Sequence, residues 1–559
     1  MHKPRLISLV LAGAFSSLGV AHATITPQSP SSWPANGISN YSDTALPLRG
    51  FNLSGAEFQP GVKGYDMNNF PSIEDTIYFA YEGENVVRVP FAWEFLQPGL
   101  PTSTAPIDWT TKGGYGQSYL QLISNLTNQG LTVIVDMHDY MRYETNLSQY
   151  ANNSNTTDEA IIDTAGEPSS AQYAAAWASI AAAVDQNLTP AQSKLVIFEL
   201  MNEPHNMNKP LISTGDEGPQ AVLDLENAAI TSIRAQEKAD NAAAHTIMLD
   251  ADWYTGMHSW AEPVPDYTNA PSNATVFTAS NIKDPAKNYV LDLHQYLDSD
   301  FSGTHNDCQS NQDIQSIINQ LVAPPPQGQD FLDWLSNNKM KVFLGEFGAG
   351  NGVNCEADMS TILSFVNQHA YNGTYGFVGF SAWSTGHAWG GYLLNISPGG
   401  PANIWMQKSD VLPAFLKVAS SLPPLGQVVA SLTNDTAYPL AFASSTGAFQ
   451  TSTPGGLAPG ATAYVYTMPN GTEPTQAQIT YKTTLPASAD QSQVVYYGFG
   501  MTADSAGDYR FEYPNTGAPN YIPVPFVQNI DAAGNKSCAI FTGGAGNSGQ
   551  YILQTASCP

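Results

Sequence analysis

The sequence predicts an α/β chain: a (β/α)8 TIM barrel followed by a C-terminal all-β, sandwich-like domain. Three observations predict it. Between about residues 47 and 385, eight short apolar runs alternate with longer helical stretches. No Gly-rich phosphate loop follows the first run, which disfavours the rival open doubly wound sheet. After Ser420-Ser421-Leu422-Pro423-Pro424 the helical pattern gives way to short alternating runs broken by Gly, Pro, Asn and Asp.

The elements follow in chain order. Residues 1–23 read as a secretory signal: His2, Lys3 and Arg5 form a basic start, an apolar stretch follows, and Ala21-His22-Ala23 is an A-x-A cleavage pattern. The apolar stretch is shorter than the roughly 20 residues of a membrane span. Cleavage and export, extracellular or periplasmic, is therefore the reading. The barrel domain is expected over 24–423. Its strands are runs 48–53, 86–90, 132–137, 196–201, 246–250, 289–294, 342–346 and 376–383. Helices are expected at 171–184, 221–239 and 359–369, the last closing near Asn372-Gly373 as a C-cap turn. The all-β accessory domain is expected over 426–559, with strands at 462–467, 477–483, 493–499 and 509–513. Its tyrosines Tyr464, Tyr466, Tyr496 and Tyr497 have two readings, polysaccharide contact or core packing, and core packing is favoured for each one singly.

Composition narrows the function. Among 559 residues, 20 Lys and Arg face 48 Asp and Glu, a net charge of −28. Such a chain lacks the basic footprint for nucleic acid and for anionic membrane surfaces. Only 12% of residues are charged while 42% are hydrophobic, so the chain buries a large core. Export permits disulfides. Cys308, Cys355, Cys538 and Cys558 allow three pairings, and proximity favours Cys308–Cys355 and Cys538–Cys558. Their spacing fits no zinc motif.

In a barrel of this kind the active site lies at the C-terminal ends of the strands. Polar candidates fall there on run after run: Arg88, His138, Asn202-Glu203, Asp252-Trp253, His294 with Tyr296, Glu346 and Trp383. A lone His or Glu after a strand is more often structural. Seven runs each presenting such a group at one rim is a pattern. Glu203 and Glu346 each follow an apolar strand, and two carboxylates facing one cleft suit glycosidic bond cleavage. Trp383, Trp253 and Trp389 offer faces on which sugar rings stack; rim packing is the alternative for the last two.

These residues resemble glycoside hydrolase family 5, the cellulase family. The segment Val196-Ile197-Phe198-Glu199-Leu200-Met201-Asn202-Glu203-Pro204-His205 is similar to that family's acid/base signature. Arg88, His138, His294-x-Tyr296, Glu346 and Trp383 match in order. The run from Leu291 to Asp300, with Ser302-Gly303-Thr304-His305 after it, is similar to an endoglucanase-like subgroup. The resemblance spans about residues 45–400 and leaves 426–559 unassigned. It implies a retaining endo-β-1,4-glucanase without cofactor or metal, acting on β-glucan, with Glu203 as acid/base and Glu346 as nucleophile. Arg88 would keep Glu346 ionised, and the Glu346 charge would keep Glu203 protonated for the first step. Tyr296 would donate to Glu346, Asn202 would contact the sugar 2-hydroxyl, and His138 and His294 would position sugar and Glu203. Relatives often carry Asn where Asp139 stands. Mannan or xyloglucan as substrate, a metal-dependent barrel enzyme, and a non-catalytic sugar binder are the alternatives; a monomer is expected.

Overall fold

The computed structural model describes residues 46–397 apart from 59–68, 72, 77–83 save Phe79, 129, 146–159, 266–270, 310, 323–329, 351–353 and 390–391. Beyond these it describes strand segments and a few neighbouring residues between 429 and 554. The expected signal at 1–23, the interdomain junction and Cys558 lie outside the described residues.

Eight parallel strands close into a barrel: β1 (Leu48–Leu53), β2 (Val86–Phe91), β3 (Thr132–Met137), β4 (Val196–Glu199), β5 (Thr246–Leu249), β6 (Tyr289–Tyr296), β7 (Lys341–Gly348) and β8 (Gly376–Thr385). β1 pairs with β8 in parallel, Leu48 opposite Gly379, which completes the ring. The barrel floor takes one apolar side chain from each strand: Leu48, Val86, Ile134, Ile197, Met248, Val290, Phe343 and Val378, all fully buried. Strand side chains alternate between faces, so a residue two positions on points inward again, one layer higher. On five strands that next residue is ionisable: Arg88, Asp136, Glu199, Asp250 (just beyond β5) and Asp292. On β7 it is Gly345, and a Cβ there would lie 1.9 Å from Asp292 Oδ2. The glycine leaves room for a carboxylate in the barrel interior.

The surrounding helices start where capping chemistry allows. The helix Ser170–Asn187 opens with a capping box in which Ser169 and Gln172 satisfy each other's backbone N–H groups. The helix Gly218–Asp240 stops at Asn241, which takes the left-handed conformation at φ 56°. The helix Cys355–Gln368 starts before the expected 359 and ends within one residue of the expected 369. Asn372-Gly373 forms a separate turn into β8, with the Asn372 side chain accepting from the Thr374 and Tyr375 N–H groups. Cys308 and Cys355 form a disulfide, as proximity predicts, joining the segment after β6 to the start of the helix that follows β7.

Beyond the barrel, the described strands pair antiparallel. β10 (Ala441–Thr446), β13 (Ala477–Ser488), β14 (Gln491–Ala503) and β15 (Tyr509–Glu512) form one sheet. β9 (Val429–Thr433), β12 (Thr462–Thr467) and β11 (Phe449–Thr451) form a second, and β16 (Phe526–Ile530), β17 (Lys536–Gly543) and β18 (Gly549–Gln554) a third. Tyr464 and Tyr466 lie in β12, Tyr496 and Tyr497 in β14 and Cys538 in β17. Their side chains are outside the described residues.

Candidate active site

Arg88 organises the barrel's upper interior. Its Nε and Nη2 clasp the Glu199 carboxylate at 2.7 and 2.5 Å. Nη2 also donates to Asn202 Oδ1 at 2.6 Å and stands 3.1 Å from Asp136 Oδ2. Nη1 donates to Glu346 Oε1 at 2.6 Å and to Asn52 Oδ1 at 3.0 Å. The planar fork of a guanidinium is what allows one side chain to fix so many acceptors.

Glu346, near the end of β7, is 3% exposed. Its second oxygen accepts the Tyr296 hydroxyl at 2.5 Å. Burial alone would raise its pKa. The positive charges of His294 and Arg88, with the Tyr296 hydrogen bond, outweigh burial and hold Glu346 below the ordinary carboxylate value of 4.5. Tyr296 itself stays a donor: burial and the Glu346 charge push its hydroxyl well above its usual range.

Glu203 follows β4 on a turn at φ 45°, a left-handed conformation rare for a residue with a Cβ. Its carboxylate accepts from His294 Nδ1 at 2.7 Å. His294 Nδ1 is also 3.8 Å from Glu346 Oε2, so the imidazole stands between the two carboxylates. Burial works against a charged His294, yet Glu346, Asp292 and Glu203 together raise its pKa well above the usual histidine value.

His138 is fixed from both sides. Its Nδ1 lies 2.8 Å from Asp136 Oδ2, and its Nε2 faces Asn202 Nδ2 at 3.3 Å. Because Arg88 donates to the Asn202 oxygen, the Asn202 amide is left to donate to His138 Nε2, and His138 donates to Asp136. The His138 ring stacks on Trp383 with centroids 5.5 Å apart. Trp389 meets Trp383 edge-on at 5.8 Å and stacks on Tyr392 at 4.1 Å. Trp253 is half-buried against Tyr254, which stacks on His205.

The structure thus brings Arg88, His138, Asn202, Glu203, His294, Tyr296, Glu346 and Trp383 into one cluster, with Trp389 against Trp383. Trp253 joins only at the rim. Asp139 points away from this cluster, accepting the Trp93 backbone N–H at 2.7 Å. Burial, then the neighbouring Glu94, pushes its carboxyl well above the ordinary range. Sequence reasoning missed Asn52, Glu199, Asp250 and Asp292 as site residues and read Asp136 only as a ligand in the metal-dependent alternative. Their signal was the period-two step inward from each apolar floor residue. Within the group Glu203, His294 and Glu346, Arg88 and Tyr296 each donate to one Glu346 oxygen and His294 bonds one oxygen of Glu203.

The closeness of the two carboxylates bears on the class. One oxygen of Glu203 and one of Glu346 lie within 4.8 Å of each other. Glycosidases that attack the sugar directly hold their carboxyl groups about 5–5.5 Å apart, and those that interpose a water hold them about 6.5–9.5 Å apart. Fold and site together define a glycoside hydrolase. The family model for cellulase (glycosyl hydrolase family 5) matches residues 47–385, and the chain belongs to that family. A probable endo-beta-1,4-glucanase B of Aspergillus kawachii is 30% identical over 375 residues, 66% of this chain and 90% of that one. Endoglucanase 1 of Robillarda sp. is 29% identical over 335 residues, 59% of this chain and 72% of that one. Among solved structures, XacCel5A in complex with cellopentaose is 29% identical, covers 67% of this chain and 99% of its own, and superposes with a TM-score of 0.50.

Proposed function

We propose that the chain is a secreted, retaining endo-β-1,4-glucanase that cleaves internal bonds of β-glucan with Glu346 as nucleophile and Glu203 as acid/base. The observation that carries this reading is that one oxygen of Glu203 and one of Glu346 lie within 4.8 Å of each other. That closeness fits the short carboxyl separation of enzymes whose nucleophile attacks the anomeric carbon itself, and Glu346 is read as that nucleophile. Arg88 and Tyr296 keep Glu346 ionised for that attack. Glu203 gives its proton to the departing glycosidic oxygen, and the leaving chain diffuses away. Glu203 then takes a proton from water, which attacks the glycosyl-enzyme ester and frees Glu346. His294 orients Glu203 between the steps.

Asn202, its oxygen held by Arg88, offers its amide nitrogen to the sugar 2-hydroxyl, and Trp383 with His138 forms the face against which the sugar ring rests. The names of the relatives support β-1,4-glucan as substrate. The strand segments after residue 429 support an all-β accessory domain, and the N-terminal pattern supports export. Carboxymethylcellulose and mannan, compared by release of reducing ends, test the substrate; activity confined to mannan overturns it. E203Q and E346Q should each lower turnover on carboxymethylcellulose by at least about a thousandfold, and near-normal activity in either overturns the roles. Undiminished turnover in EDTA is expected.

A further inference from the structure

Beneath Glu203 stand carboxyl groups that the two chemical steps do not use. Glu199, Asp250, Asp292 and His294 each place one atom within 4.8 Å of the others, and all four are buried. Two of the acids have cationic partners. Arg88 clasps Glu199, and His294 Nε2 lies 3.5 Å from Asp292 Oδ2. Asp250 makes different contacts. Its backbone N–H donates to Glu226 Oε1 at 3.0 Å, and its Oδ2 accepts the backbone N–H of Glu203 at 2.9 Å. Its other oxygen has no hydrogen-bond partner among the described residues.

That single contact falls at a demanding position. Glu203 holds a left-handed backbone, which clashes with a Cβ and relaxes unless neighbours fix it. Two further ties act on the same turn: His205 Nδ1 on the Glu203 carbonyl at 3.0 Å, and the Tyr254 N–H on the Pro204 carbonyl at 3.0 Å. Among the described residues, Asp250 alone engages the Glu203 N–H. We propose that Asp250 is a positioning residue for the acid/base, locking the Glu203 peptide from below so that the Glu203 carboxyl faces the scissile oxygen. The idea rests on the assignment of Glu203 as acid/base. Burial, then the neighbouring Asp292, pushes the Asp250 carboxyl well above the ordinary range. An amide of the same shape keeps an acceptor oxygen in place of Oδ2 for the Glu203 N–H.

The test compares kcat/KM on two substrates, since this ratio reports the first chemical step. A 2,4-dinitrophenyl β-cellobioside has a leaving group that departs without a proton; a cello-oligosaccharide needs one. D250A should lose about tenfold or more on the cello-oligosaccharide and less than about threefold on the dinitrophenyl substrate. D250N should stay within about threefold of the wild type on both. Equal losses on the two substrates, an unchanged cello-oligosaccharide rate in D250A, or a leaving-group-dependent loss in D250N overturns the proposal. If D250A fails to fold, D250S, too short to reach the Glu203 N–H, is read in its place. E203A is the control. If it loses equally on both substrates, the acid/base assignment fails, and the fault lies there rather than with Asp250.

Discussion

Removing one oxygen atom from Tyr296 isolates the electrostatics of the proposed nucleophile, Glu346. In the wild type the Tyr296 hydroxyl donates to Glu346 Oε2 at 2.5 Å. A hydrogen bond to a charged acceptor contributes about 1.5–3 kcal/mol, and one pKa unit corresponds to about 1.36 kcal/mol. Y296F should therefore raise the Glu346 pKa by about 1–2 units. The ring will not shift, because Gly303 is packed so closely that a Cβ there would lie 2.7 Å from Tyr296 Cδ1. The sign is fixed by the mechanism. As the proposed nucleophile, Glu346 must be ionised to attack, and its pKa is held below 4.5 in the wild type, so activity should be lost as pH falls through that depressed value. Without the donor, the loss begins at higher pH. The assay is kcat/KM for a cello-oligosaccharide between pH 3 and 7, which reports groups of the free enzyme. An acid limb unmoved in Y296F, with only the plateau lowered, would refute the reasoning and place Tyr296 on the sugar instead.

Two other outcomes concern stability. Glu57 is buried, accepts the Gly55 N–H at 2.8 Å through one oxygen, and its pKa is raised by burial from 4.5 to about 7. Its contribution is complete below pH 4.5 and is lost as pH rises through 7. Over that window the loss is about 3 kcal/mol. E57Q, neutral at every pH, should flatten the fall in urea midpoint between pH 5 and 8, and an unchanged slope would count against it. C355S opens a disulfide that spans 47 residues, worth about 4 kcal/mol in the chain-entropy limit. It should lower Tm by several degrees, and a reductant should lower the Tm of the wild type by more than that of the variant.

The rim of the site was legible because most chemical groups there end an apolar run. His138, Glu203, His294 and Glu346 announce themselves in this way, and Arg88 as a lone cation inside such a run. The layer beneath was not. Asp136, Glu199, Asp250 and Asp292 sit within or at the margin of runs that are buried on both faces, and parallel strands of that kind read as continuous hydrophobic stretches. The period-two step from Ile134 to Asp136, or from Ile197 to Glu199, identifies an inward face only once the barrel shows which side is inside. The end of the helix at Gln368 was legible to one residue, but Asn372-Gly373 has the composition of its cap while serving as the turn into β8. The Glu203–Glu346 approach was unreadable in principle, since it depends on the register between β4 and β7 across a closed ring.

That approach carries the central claim, and covalent trapping tests it most directly. The enzyme is incubated with 2,4-dinitrophenyl 2-deoxy-2-fluoro-β-cellobioside, which forms the glycosyl-enzyme readily but hydrolyses it slowly. Mass spectrometry of the digested protein then locates the adduct. A single fluorocellobiosyl ester on Glu346, appearing as activity disappears, is the predicted result. An adduct on another residue, or continued hydrolysis with no adduct formed, would contradict it.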